Sequence, residues 1–545
     1  VKRPLLAALL LAAVTASAPA RAQLGDAPDE APPTSLQVTP KPWKALRLTL
    51  DGYLRVRADV FHQLDLDRGP TPSTGLPIWP LGAAGGDDHT LTAIDMRLRL
   101  DPTLEIGQAV RVHLRADILD NVGWGSTPDV LPSTTAFSGA ALGTAPPTSG
   151  VNSVQDAIRV KQVWGEVTLP FGTLAAGRMG PVFNWGTGFF VNNGDCLSCD
   201  RGDTGDRIAL TLPLVGHFWT VLYEMSASGP YVDNFGQQIP IERRAQVNTV
   251  AFAVARWASP EAQLRRLRAG RALIQYGLFV SYRRQDLDAP AWVQPGGLTR
   301  GYGPRDFVVR GLESVAGDLW FMIHKGGLRA ELEAAMVIGD IQNASTVAGI
   351  SFRQPITSRQ WGGVASLSYQ WRRFPIRLRA EVGYASGDDA PGFGARFVAG
   401  QTQTIPGDLD GPQLRPPVDT SINNFRFSPD YQVDLVLWRR ILGQVTDAVY
   451  VKPSVRLGPF GSGMHHALVD ISLVDSNAMY VSSTPGNDRH LGVELDLRAR
   501  YRLEQGFEAL LQYGVLFPGA GLRNNVLDKD PRPAQVLELI LAYRI

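Results

Sequence analysis

The sequence predicts an all-β fold: a transmembrane antiparallel β-barrel of roughly 16–18 strands, with short periplasmic turns and long extracellular loops. Three observations predict it. Every second residue from Leu46 to Val60 is apolar or Gly52, while Arg47, Thr49, Asp51, Tyr53, Arg55, Arg57 and Asp59 fill the other column. A β-strand sends successive side chains to opposite faces, so this strand has one apolar face and one charged face. The same alternation recurs as far as Ile545. Finally, an export signal stands at the N-terminus, and no later stretch approaches the apolar length a membrane-crossing helix needs. A chain exported without a helical span can still be integral to a membrane if its strands close on themselves.

The organisation follows in order. Lys2 and Arg3 precede the apolar run Leu5 to Val14, and Ala20-Arg21-Ala22 forms a small-residue cleavage site, so residues 1–22 read as a signal peptide. Residues 23–43 carry Asp26, Asp29 and Glu30 among Pro28, Pro32, Pro33, Pro40 and Pro42, and read as a disordered periplasmic lead-in. Residues 44–545 are assigned to the barrel. Leu98 and Leu100 alternate with Arg97, Arg99 and Asp101, and Val112 and Leu114 alternate with Arg111, His113 and Arg115. Leu495, Leu497, Ala499 and Tyr501 oppose Glu494, Asp496, Arg498 and Arg500. The final strand sets Leu537, Leu539, Leu541 and Tyr543 against Glu538 and Arg544. Tight turns at Asp101-Pro102-Thr103 and Glu504-Gln505-Gly506 contrast with long stretches near 61–89, 119–155, 180–206, 285–304, 388–429 and 519–533. The run Val433-Asp434-Leu435-Val436-Leu437-Trp438 fits neither the strand nor the helix period, and strand and short helix both stay open there.

Composition narrows the function classes. Lys and Arg number 53 against 52 Asp and Glu, so no general basic field recruits nucleic acid. Cys196 and Cys199 are the only cysteines; in an exported chain the default is a local disulfide, and no further ligand for zinc stands nearby. A barrel of this size leaves a wet lumen. Arg55, Arg57, Arg97, Arg99, Arg111, Arg115, Arg377, Arg379, Glu381, Glu494, Asp496, Arg498 and Arg500 fall on the inward column and are expected to line it. Charge ladders set ion preference in a pore, and guanidinium groups bind carboxylates and phosphates in pairs of hydrogen bonds. The alternative is that these charges pair with one another along the wall.

The stretch between Gly172 and Leu212 is expected to be strand, long loop and strand, with the 180–206 loop folded into the bore as a constriction. Arg178, Asn184, Trp185, Asp203, Asp206 and Arg207 are its candidate residues, stapled by Cys196–Cys199. The Asp spacing is not that of an EF-hand; no cofactor is expected, with calcium in the 195–206 loop as the lesser alternative.

Several of these places resemble a known family. Gly177-Arg178, Trp185-Gly186 and Asp206-Arg207 are similar to a hairpin of alginate-export-type barrels, and Ser386-Gly387-Asp388-Asp389 is similar to a strand end there. Leu491 to Leu497, with Phe517-Pro518-Gly519, resembles the closing hairpins. Phe427-Ser428-Pro429-Asp430-Tyr431 and Lys452-Pro453 resemble a group of uncharacterised delta-proteobacterial outer-membrane proteins. The resemblance implies an 18-stranded barrel with a basic lumen that passes an anionic polysaccharide. The chain departs from that pattern in its many inward acids and in Cys-Leu-Ser-Cys.

The expected function is an outer-membrane porin of a Gram-negative bacterium, passing hydrophilic, anionic or oligosaccharide solutes by diffusion. Its expected partners are outer-membrane lipid and lipopolysaccharide, the barrel-assembly machinery and the solute. The alternative is export of a polysaccharide. A different class, an adhesin or structural barrel, would carry its function on the loops. An enzyme is not expected: the eight histidines are scattered, and no Gly-x-Ser-x-Gly elbow accompanies His465-His466.

Overall fold

The computed structural model describes residues 46–81, 88–124, 158–182, 185–226, 244, 246–288, 308–345, 354–371, 373–395, 404–411, 419–461 and 464–545. The expected signal peptide (1–22), the lead-in (23–43) and Asn184 lie outside them.

The first strands are β1 (Leu46–His62), β2 (Thr90–Ile106), β3 (Val110–Gly123), β4 (Ile158–Leu169), β5 (Gly172–Met179), β6 (Gly205–Leu214) and β7 (His217–Ser226). Next come β8 (Val247–Arg256), helix α1 (Pro260–Arg268), β9 (Leu273–Asp288), β10 (Val308–Lys325), β11 (Leu328–Ile341), β12 (Ile356–Gln370) and β13 (Ile376–Ala385). The series ends with the two-residue β14 (Ser421–Ile422), then β15 (Ala448–Phe460), β16 (His465–Ala478), β17 (His490–Leu503), β18 (Phe507–Pro518) and β19 (Ala534–Arg544).

Each long strand pairs antiparallel with its neighbours, and β1 pairs with both β2 and β19, so the sheet closes into a cylinder. The short β14 lies parallel against the end of β12 and takes no part in the ring, which leaves 18 barrel strands among the described residues. This closure satisfies the strand edges that hydrocarbon would not tolerate. Among the described residues no helix is long and apolar enough to cross a membrane; the strands do the crossing.

The faces fall as the alternation predicts. Leu54, Val60, Leu495, Leu497, Leu537 and Leu539 are exposed on the outside, while Arg55, Arg57, Asp59, Glu494, Asp496 and Glu538 are buried on the inside. Apart from the α1 connection, the turns at one rim are short and both ends of the ring lie there, whereas the strand ends joined by the longer stretches of sequence lie at the other, which assigns the two rims to the periplasm and the exterior. The parity is reset near the outer end of β17. There the ladder steps from Ser476–Gly492 to Asn477–His490, and Gly492 sits at φ +136. A side chain at that glycine would strike the Phe517 carbonyl, so glycine is required, and the bulge turns Leu491 inward.

The apolar core lies inside the cylinder, in its outer half. It is built by the described parts of loop 386–447 (386–395, 404–411 and 419–447), whose Phe393, Phe425, Phe427, Val433, Leu435, Leu437, Trp438 and Ile441 are buried against Val364, Tyr450, Val474, Leu516 and Val536 of the wall. The run that fits neither period therefore belongs to this infolded loop, and Leu437–Ile441 form one wide π-helical turn. Its exposed N–H groups are met from the wall and from within the turn. Glu494 accepts from Leu435, Val436 and Leu437 at 2.8, 2.7 and 3.0 Å, and Asp434 accepts from Trp438 at 3.0 Å.

Candidate functional site: a roofed basic vestibule

On β1–β3 the inward arginines form a clamp. Arg55 donates to Asp95 at 3.1 Å and Asp200 at 3.2 Å, and Arg57 to Asp95 and Asp200, both at 2.9 Å. Arg97 donates to Asp120 at 2.6 Å and Asp200 at 2.9 Å, and Arg99 to Asp117 at 2.7 and 2.8 Å. Three of these arginines also hold backbone carbonyls of loop 180–204: Arg55 on Leu197 at 2.7 Å, Arg97 on Cys199 at 2.8 Å and Arg99 on Gly194 at 3.0 Å. Arg115 binds Asp101 at 2.6 Å and Asp195 at 2.7 Å. Asp200, in the loop, is the shared anion. Burial pushes its carboxyl up, but Arg57, Arg55 and Arg97 override this and hold it well below the usual carboxylate range. These arginines were expected to line open water. They are instead neutralised and packed beneath the loop, because a guanidinium removed from water needs an anion beside it. Arg111 also stands apart from the cavity, 3.8 Å from Glu166.

Loop 180–204 crosses the bore. Trp185 reaches the opposite wall, where its Nε1 donates to Asp318 at 3.2 Å and its ring packs on the backbone at Gly277, a position at which any Cβ would collide with it. Thr187 N–H donates to Glu333 on β11. Phe189 meets Phe427 edge to face at 4.8 Å. The loop then returns through the Cys196–Cys199 disulfide to the clamp. Asp203 accepts the Asn192 N–H at 2.7 Å. The infolded loop 386–447 braces it: Asp430 accepts from Asp200 N–H at 3.2 Å and Arg201 N–H at 3.0 Å, and Gln432 donates to Ser198 at 2.6 Å. Arg207 points inward to Glu224 and the Gly180 carbonyl. Arg178 and Asp206 do not belong to this constriction. They pair at 2.8 Å on the outer face, half exposed, because strand parity carries both side chains outward at the ends of β5 and β6.

Beneath the loops, toward β13 and β15–β17, lies a cavity of about 1090 Å³. Trp185 to Gly188, Asn192, Asp195 and Asp430 to Gln432 roof it, and it reaches the short-turn rim at Glu504, Phe507 and Arg544. Its wall carries Arg377, Arg379, Lys452, Arg456, Arg498, Arg500 and Arg502; with Arg544, eight basic side chains face five acids among the described lining residues. Some are paired: Arg379 with Glu381 at 2.7 Å and Arg456 with Asp470 at 2.7 Å. Arg500, Arg502 and Arg544 share one carboxylate, Glu508, at 3.4, 3.2 and 2.8 Å. Arg498 has no hydrogen-bond partner for Nε or Nη2 among the described residues. Glu381 ties wall to roof by accepting from Tyr431 at 2.9 Å and Tyr450 at 2.8 Å. Glu494 and Asp496, expected beside these arginines, lie instead under the infolded loop and line no open space.

Of the predicted residues, Arg377, Arg379, Glu381, Arg498, Arg500, Trp185 and both cysteines therefore meet at one cavity. Lys452, Arg456, Asp470, Tyr431 and Arg544 complete it and were not among the predicted site residues. Lys452, Ser454 and Arg456 do alternate, but Pro453 between them hides the strand from a reading by propensity.

Residues 331–532 match the alginate export family. That span takes in the infolded loop and the cavity arginines of β13 and β15–β17, and it excludes the clamp on β1–β3. None of the curated proteins matches the sequence. Among solved structures the chain is similar to OpdK, an outer-membrane protein of Pseudomonas aeruginosa, with TM-score 0.45 and 10% identity over 91% of this chain and 98% of that one. It is also similar to OccK11 (OpdR) of the same organism, with TM-score 0.43 and 10% identity over 91% and 96% of the two chains. A BenF-like porin of Pseudomonas fluorescens Pf-5 gives TM-score 0.44 and 9% identity over 91% and 98%. The protein is an outer-membrane β-barrel, its apolar outer face against lipid, and the stretch that matches the alginate export family carries the cavity arginines of β13 and β15–β17.

Proposed function

We propose that this protein is a passive outer-membrane channel for small hydrophilic anions, with the basic vestibule as its selective part. The observation that carries the reading is the excess of arginine over acid around the open cavity, on strands whose other face meets lipid. In that geometry fixed positive charge concentrates anions and excludes cations. Loops 180–204 and 386–447 together form the constriction. The reading needs no chemical step and no cofactor. Asp195 and Asp200 are met by arginines and Asp203 by an N–H, which supports a loop ordered without calcium. The outer face supports contact with phospholipid and lipopolysaccharide, and the alternating last strand supports recognition by the barrel-assembly machinery.

The second reading is export of an anionic polysaccharide, favoured by the family match over 331–532. Single-channel recording in a planar bilayer under a salt gradient tests both. Discrete steps with an anion-selective reversal potential are expected, and cation selectivity would overturn the first reading. Block by a uronic-acid oligomer added from the periplasmic side alone favours export; block by neither side favours the small-solute channel.

A further inference from the structure

The lipid-facing wall is not uniformly convex. Over β12, β13, β15 and β16 it carries an apolar groove of about 550 Å³, bordered by Leu367, Leu378, Leu473 and Leu495 around the small outward side chains of Ala380 and Pro453. Pro453 also marks a gap in the sheet. The β15–β16 ladder passes from Val451–Asp475 to Ser454–Ser472 without pairing at Lys452 or Pro453, as expected where a residue has no N–H to give. The groove begins at Leu328 and Tyr369, beside the short turns, and climbs to mid-wall, so it opens in the periplasmic half of the membrane. At that end two neighbouring turns, joined by the Gln370 N–H to Gly327 O bond at 2.8 Å, expose Lys325 and Arg373. Trp371 and Tyr369 stand edge to face at 4.8 Å beside them, at the level where aromatic girdles meet headgroups.

We propose that this groove seats one acyl chain of an anionic phospholipid from the periplasmic leaflet, with its phosphate held by Lys325 and Arg373. The chain fills the dent around Ala380 and Pro453, and the two cations near its lower end select an anionic headgroup over a zwitterionic one. The site is independent of what passes through the lumen.

Native mass spectrometry of the folded full-length barrel, titrated separately with dioleoylphosphatidylglycerol, dioleoylphosphatidylcholine and lipid A, tests it. One retained phosphatidylglycerol is expected, at about tenfold lower concentration than phosphatidylcholine. Ala380→Trp fills the groove from the lipid side and is expected to abolish retention of both; if that variant does not assemble, Ala380→Leu gives the same readout. Lys325→Gln with Arg373→Gln, at the last residue of β10 and on the turn between β12 and β13, is expected to bring the two phospholipids to parity. Unchanged retention in the groove variant, unchanged preference in the turn variant, or stronger retention of lipid A than of phosphatidylglycerol would each overturn the proposal.

Discussion

Arg55-Val56-Arg57 on β1 and Arg498-Ala499-Arg500 on β17 are nearly the same phrase in sequence, and both point their arginines into the barrel. Their surroundings differ completely. The β1 pair is almost fully buried and shares Asp95 and Asp200, while three strands round the ring Arg500 competes with two other arginines for Glu508 and borders open space. One group is cement for a loop, and the other is free to meet a solute. The difference teaches that inward orientation is a matter of strand parity, whereas availability depends on whether an acid from elsewhere in the chain arrives to neutralise the charge.

The sharpest way to break the comparison is Asp200→Asn. Removing the anion shared by Arg55, Arg57 and Arg97 is expected to cost about 3–5 kcal/mol, since it leaves buried cations short of a partner. The readouts are a lower denaturation midpoint and a larger, noisier conductance as the crossing loop is released. A stable variant with unchanged conductance would place the clamp among ordinary surface pairs. Next in size is Leu497→Arg, which puts the charge one residue before Arg498 on the lipid face. It is expected to lose about 2–4 kcal/mol of folded stability near the midplane, read as a reduced folded fraction in vesicles.

Arg498→Glu is expected to assemble normally and to move the reversal potential toward cations, whereas Arg97→Glu is expected to fail at assembly. If both behaved alike, the two groups would not be distinct. The smallest effect concerns pH. Asp200 has its folded-state pKa depressed, so the stability it contributes is present above its unfolded value and is lost only as pH falls through the lower folded value. Conductance is therefore expected to stay constant from pH 7 down through about pH 4, the ordinary range for an aspartate. An increase in conductance between pH 6 and pH 4, in about that carboxylate range, would show the loop anchor to be weaker than the geometry indicates.

The wall of this molecule was legible because period-two alternation is local: Leu495 to Arg502 declares its two faces without reference to any other segment. Strand number and the inward set of arginines followed from the same signal. What fills the bore was not legible, because it depends on contacts far apart in sequence. The Val433 to Trp438 run satisfied neither period because every residue of it, Asp434 included, is buried, as in a segment enclosed by a cylinder. Arg178 and Asp206 were grouped with the loop by their neighbours in sequence, yet each lies one residue out of phase with the inward column. The clamp needed Asp200 to be brought to β1 and β2 from the far end of a crossing loop, and no spacing records that.

Among the described residues, the roof and the infolded loop leave a cavity along the sector from β13 to β19, and much of the rest of the bore is given to packing and anchoring. An 18-strand circumference therefore overstates the passage it encloses. Substitutions spread evenly around the ring should not act evenly: most inward positions would be constrained by stability, and a minority by what goes through. Size cut-offs inferred from strand number alone would be too generous for this barrel, and for any relative that keeps its furniture against one wall.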